Sequence, residues 1–171
     1  RLSDAFGNSW GRPYILWSVA ALNVFEGRWD EATQLLDDAQ RIILTTEDVT
    51  AEIQVCCTRA WLSLLRGQPA QVVSSAKPLL DNPNGDLFFR LALGERVARA
   101  WIELDDVSKG ETAARQVVET CREKGFTLAE AWTLPTLGCA LAKQGRSAEA
   151  QEVFERAIEL CRAMPEPFTE A

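Results

Sequence analysis

Apolar residues recur along this chain at helical spacing. Near the end, Ala150, Val153, Phe154, Ala157, Ile158 and Cys161 fall on one face of a helix, with Glu149, Glu152, Glu155, Arg156 and Glu159 on the others. No run of alternating apolar and polar residues is long enough to argue for a strand. The pattern predicts an all-α chain. Four segments, 17–39, 57–79, 95–117 and 135–157, repeat one motif: an apolar helix, a short polar break, then a second, amphipathic helix. The breaks centre on Gly27, Gly67, Asp105 and Gly145, which are 40, 38 and 40 residues apart.

Small residues recur in register with the breaks. Seven positions upstream stand Ala20, Ala60, Ala98 and Gly138, all small, and five downstream stand Ala32, Val72, Gly110 and Ala150, three of them small. Helices joined by a tight turn approach to 8–10 Å only where side chains are short at the crossing. A glycine at the break suits a helix C-cap, where the left-handed conformation carries no Cβ penalty. Asp105 departs from that rule and predicts a differently shaped third turn. Thr127-Leu128-Ala129-Glu130 has the form of a capping box, and Ser147 is placed to act as an N-cap. Between repeats, 45–48, 81–85 and 124–126 carry turn residues.

These repeats resemble the tetratricopeptide type. The fourth is the nearest: Leu134, Leu137, Gly138, Leu141, Gly145, Ala150, Phe154 and Ala157 stand where that family has large, large, small, large, turn, small, aromatic and small residues. Trp29 occupies the family's aromatic position after the first turn. The family's closing proline is missing, Arg59 replaces an apolar residue, and the period of 38–40 exceeds the usual 34. Long-period arrays of this kind are similar to the C-terminal sensor region of large bacterial signalling proteins. Among these are maltose-regulon-type transcriptional activators and ATPase-linked cyclases.

The resemblance implies a right-handed α-α superhelix of four helix pairs, at 12–46, 48–84, 86–125 and 127–163, with 164–171 opening a further, truncated repeat. It also places first helices on a concave surface. Their inner-face positions are then Tyr14, Trp17, Ala21 and Val24; Gln54, Cys57, Trp61 and Leu64; Ala92, Glu95, Arg99 and Ile102; and Trp132, Pro135, Cys139 and Ala142. Of these, Tyr14, Trp17, Gln54, Trp61, Glu95, Arg99 and Trp132 are the candidate partner-binding residues. Aromatics at helical spacing also suit a core, and Trp17, Trp101 and Trp132 admit that reading. Glu95 and Arg99, four apart, admit an ordinary intrahelical ion pair. Pro135 either kinks its helix to shape a pocket or is simply tolerated near a helix start.

Composition narrows the chemistry. With no histidine among 171 residues, neither a Ser-His nor a Cys-His nucleophile pair can form within this chain, and His-containing zinc sites are excluded. No phosphate-cradling or dinucleotide-binding glycine loop occurs. No catalytic residue, metal ligand or cofactor is therefore assigned. The net charge of -7 is spread over both halves, so no basic face for nucleic acid is expected.

The five cysteines show no CxxC spacing, which fits reduced, partly buried thiols in the cytoplasm rather than disulfides. Adjacent Cys56 and Cys57 are the one candidate redox pair. The longest uncharged run, Pro13 to Phe25, has 13 residues, short of the ~20 that cross a bilayer. No signal peptide is recognisable, and the absence of an initial Met suits a fragment of a longer protein. Leu2, Phe6 and Phe168 are expected to cover apolar ends of the array or to make contacts there.

The sequence therefore favours a non-catalytic protein–protein interaction module within a larger bacterial transcriptional or signalling regulator. Its partner would be a protein segment or another domain of the parent. The alternative is a sensor that binds a small-molecule effector in the concave groove.

Overall fold

The computed structural model describes residues 11–164, so Leu2, Phe6, Phe168 and the start of a further repeat lie outside the described residues. The described residues form eight α-helices and no strand. They are α1 (Arg12–Phe25), α2 (Trp29–Thr46), α3 (Val49–Leu65), α4 (Pro69–Leu80), α5 (Leu87–Glu103), α6 (Val107–Lys124), α7 (Thr127–Lys143) and α8 (Ser147–Ala163). The chain divides into two compact units between Arg96 and Val97, inside α5.

The four turns α1–α2, α3–α4, α5–α6 and α7–α8 share one backbone geometry. Gly27, Gly67, Asp105 and Gly145 all take left-handed φ values, 76°, 67°, 65° and 77°. In each turn this residue's N–H donates to the carbonyl three back, as Gly27 does to Val24 at 3.2 Å and Asp105 to Ile102 at 3.2 Å. The next N–H reaches the carbonyl five back, as Arg28 does to Asn23 at 2.9 Å and Asp106 to Trp101 at 3.0 Å. This is the Schellman pattern, which satisfies carbonyls that a helix end otherwise leaves orphaned. The expectation of a differently shaped third turn is corrected. Aspartate is among the few non-glycine residues that visit the left-handed region, and here it does so without altering the turn.

Helix starts depart from the expected caps. Thr127 and Ser147 are the first helical residues of α7 and α8, not the caps, and Phe126 and Arg146 precede them with no side-chain cap bond. Glu130 does not close a capping box. Its Oε1 accepts from Arg122 Nε at 2.8 Å, because the turn at Gly125 folds the end of α6 back against α7. The working caps are aspartates. Asp48 accepts from the Ala51 N–H at 3.1 Å, Asp86 from Phe89 at 3.2 Å and Asp106 from Lys109 at 3.2 Å.

In the unit ending at Arg96, α3 is buried on nearly every side, with Ile53, Val55, Ala60 and Leu62 among its enclosed residues. Ala20, Leu36, Ala39 and Ile43 pack with Ala51 and Val55. Val24, Ala32 and Leu62 form a second cluster flanked by Trp29 and Trp61. Arg59, out of pattern in the sequence, pairs with Asp37 at 2.8 Å across the helix surface.

In the unit from Val97, Ala98, Ala114 and Val118 meet Leu134, Leu137, Leu141, Ala150 and Leu160. Each fully buried leucine contributes about 1.5–3 kcal/mol relative to exposure. The small residues flanking the breaks are all buried, as the crossing argument requires.

Candidate functional site

Two of the predicted inner-face residues of the first unit, Tyr14 and Trp17, are anchored by their polar ends. Tyr14 donates its hydroxyl to Asp48 Oδ2 at 2.8 Å. Desolvation, with this bond and the nearby carboxylate charge, pushes its phenol up to about 12. Trp17 donates its indole N–H to Thr58 Oγ1 at 2.8 Å and sets its ring edge-on to Phe89, with centroids 5.6 Å apart. Trp61 meets Phe25 in an edge contact at 4.4 Å. Gln54 is buried, and its Oε1 accepts no hydrogen bond among the described residues. Tyr14, Trp17 and Trp61 are half-buried rather than fully enclosed.

The ion-pair reading of Glu95 and Arg99 is corrected. Arg99 bonds Glu103 through Nε at 3.0 Å, one turn further along α5, while Glu95 lies 3.7 Å from Arg96. The core reading of Trp132 is corrected too, since that residue is 53% exposed on α7. Trp101 is half-buried and lies under the Lys109 ammonium, 4.5 Å from its ring centre.

In the second unit, α5 and α7 border an open cavity of about 350 Å³, lined by Arg99, Ile102, Glu103, Pro135, Thr136, Cys139 and Lys143. Four of these, Arg99, Ile102, Pro135 and Cys139, are among the positions expected from the sequence on an inner face. Helix α7 continues through Pro135 to Lys143 despite the lost donor. Pro135 also borders a second, more open cavity of about 560 Å³ between α7 and α8, lined by Ala131, Ile158, Cys161, Arg162 and Met164 among others.

Lys143 and Glu103 were not among the sequence candidates. Lys143 stands four residues beyond Cys139 on the same helix face, and that spacing was the available signal. Its ammonium contacts the Ile102 carbonyl at 3.4 Å, at the C-terminal end of α5, where helix carbonyls favour a cation. Among the described residues it makes no ion pair.

The thiols divide by burial. Cys56, Cys57 and Cys121 are buried, whereas Cys139 and Cys161 are exposed, and no disulfide links the described residues. Desolvation raises Cys56 to about 11 and pushes Cys57 up as well, so the adjacent pair is held protonated. Reactive thiols need the opposite setting, exposed and electropositive. The redox-pair reading finds no support in that geometry.

No group of three or more Cys, Asp or Glu side chains among the described residues is arranged to hold a metal ion, and no described helix is long and apolar enough to cross a membrane. No family model matches this chain, and no curated protein is significantly similar to it.

Proposed function

We propose that this chain is a non-catalytic interaction module, the regulatory helical-repeat region of a larger cytoplasmic bacterial transcriptional or signalling regulator. Its helix pairs would stack as tetratricopeptide-like repeats of a right-handed superhelix and bind a protein segment on the inner faces of the first helices. One observation carries this reading. Arg99, Ile102, Pro135 and Cys139, assigned to the inner face by the resemblance, border a single cavity between α5 and α7. Exposed Trp132 on α7 adds the kind of amphipathic anchor that dominates protein interfaces.

A second reading, a small-molecule sensor, draws on the same cavity. Its volume of about 350 Å³ falls within the size range of small-ligand sites.

Peptides selected for binding to the intact chain, followed by hydrogen-exchange footprinting, test the proposal. Protection is expected on α1, α3, α5 and α7, with binding weakened by Trp61→Ala and Arg99→Ala while helicity is unchanged. A footprint confined to α2, α4, α6 and α8 would overturn it. A metabolite that binds in the α5–α7 cavity and displaces every selected peptide would establish the sensor reading instead.

A further inference from the structure

We infer that the α5–α7 cavity is an anion-recognition site that takes a carboxylate beside an aliphatic group, as an acidic side chain on a protein segment supplies. The inference rests on the proposed function in taking the inner face as the binding surface, and adds the chemistry of what binds.

The chain is strongly acidic, at -7 overall, yet two of the three charged side chains lining this cavity are cationic. Glu103 is committed to Arg99 through Nε, which leaves the guanidinium's two terminal nitrogens with no hydrogen bond among the described residues. Lys143 carries three donors and contacts one carbonyl, that of Ile102, at 3.4 Å. A carboxylate entering here gains charge-assisted bonds from both cations. Ile102, Pro135 and Cys139 offer the carbon stem beside it an apolar wall.

The walls come from two different helices, and one carboxylate already neutralises part of the charge. A single acidic group flanked by apolar atoms therefore matches better than a highly charged phosphate. Specificity would come from pairing one partner charge, because an uncharged isostere forgoes the charge-assisted bonds that Arg99 and Lys143 offer.

Cys139 reports on the site without any partner being known, and Cys161, exposed on α8, is the control. The intact chain is treated with dianionic 5,5′-dithiobis(2-nitrobenzoate) or with uncharged 4,4′-dithiodipyridine. The rate at each thiol is followed by mass spectrometry. Differences in thiolate fraction act on both reagents alike and cancel in their ratio.

At low salt the anionic reagent should favour Cys139 over Cys161 by about fivefold relative to the uncharged one. That preference should collapse in Lys143→Gln and Arg99→Gln, and in ~0.5 M salt. A capped peptide of alternating leucine and glutamate should then slow Cys139 modification and spare Cys161, whereas its glutamine counterpart should not.

Equal reagent ratios at the two thiols, insensitive to both substitutions, would overturn the inference. Equal protection by the glutamate and glutamine peptides would overturn it while leaving the interaction module standing. Protection by free glutarate but not by the acidic peptide would overturn the protein-segment source and favour a small organic acid.

Discussion

Gly110 lies so close to Ile102 that a methyl group on its Cα would sit 2.5 Å from Ile102 Cγ1 and 3.0 Å from the Ala98 carbonyl oxygen. The neighbouring atoms are an inner side-chain carbon and a piece of backbone, neither of which can swing aside. Alanine at 110 gains about 1 kcal/mol in helix propensity but overpacks the α5–α6 crossing, at a cost of roughly 1–3 kcal/mol. Gly110→Ala should therefore lower stability despite its better propensity. Urea denaturation showing an unchanged or raised midpoint would sink this account of the crossing.

Asp105 gives the opposite expectation. It holds a φ of 65° in a turn whose three counterparts are glycines. Non-glycine residues in that region carry roughly 1–2 kcal/mol of strain, less for aspartate, and glycine carries none while losing more entropy on folding. Asp105→Gly should raise stability by about 0.5–1 kcal/mol, and Asp105→Ala should lower it. Both are read from the denaturation midpoint at constant slope.

The repeat period, the break glycines and the small crossing residues were legible in the sequence because each is a steric demand at one position. The caps were not. Whether Thr127 or Ser147 acts as a cap depends on where the preceding residue leaves the turn, and Phe126 and Arg146 prove to be the boundary residues. Glu130 was misread because Arg122, eight residues earlier, reaches it only once the Gly125 turn is closed. In the cavity, Arg99, Ile102, Pro135 and Cys139 are positions that the resemblance assigned to the inner face. That assignment ended at Ala142 and passed over Lys143, four residues beyond Cys139, whose ammonium reaches the Ile102 carbonyl once α5 and α7 are packed.

The single tyrosine of the chain makes its ionisation directly measurable. Its phenol, raised to about 12 by burial and Asp48, should show only about a tenth of the full tyrosinate absorbance at pH 11 while the helices persist. Asp48→Asn should bring the midpoint down toward 10 by removing the neighbouring charge. Because the folded state holds the higher pKa, the stabilisation is fully present below the unfolded value near 10 and fades as pH rises toward 12. A wild-type midpoint at 10 in the folded chain would contradict the Tyr14–Asp48 bond.

Acid stability should depend on Glu111. Burial alone would raise its carboxyl, but bonds from Arg115 at 2.7 Å, Gln144 at 2.9 Å and Arg146 at 2.8 Å outweigh that and hold it below its ordinary value. A depressed folded pKa contributes stability above the unfolded value, near 4.5, and loses it as pH falls through the lower folded one. Glu149, lowered by its bond with Arg146, adds in the same direction. Glu111→Gln should therefore flatten the fall of the denaturation midpoint below pH 4.5. A curve that keeps the wild-type slope would show the network to be incidental.

The four Schellman turns are closed by main-chain amides and carbonyls alone, each asking only that one residue tolerate a left-handed backbone. The joint is therefore nearly indifferent to the side chains around it: proline, valine and serine stand after it as readily as tryptophan does. Mutations can accumulate across the turns and outer surfaces without altering how each helix pair closes. Descent in such a chain would persist in spacing and backbone shape long after it had faded from residue identity.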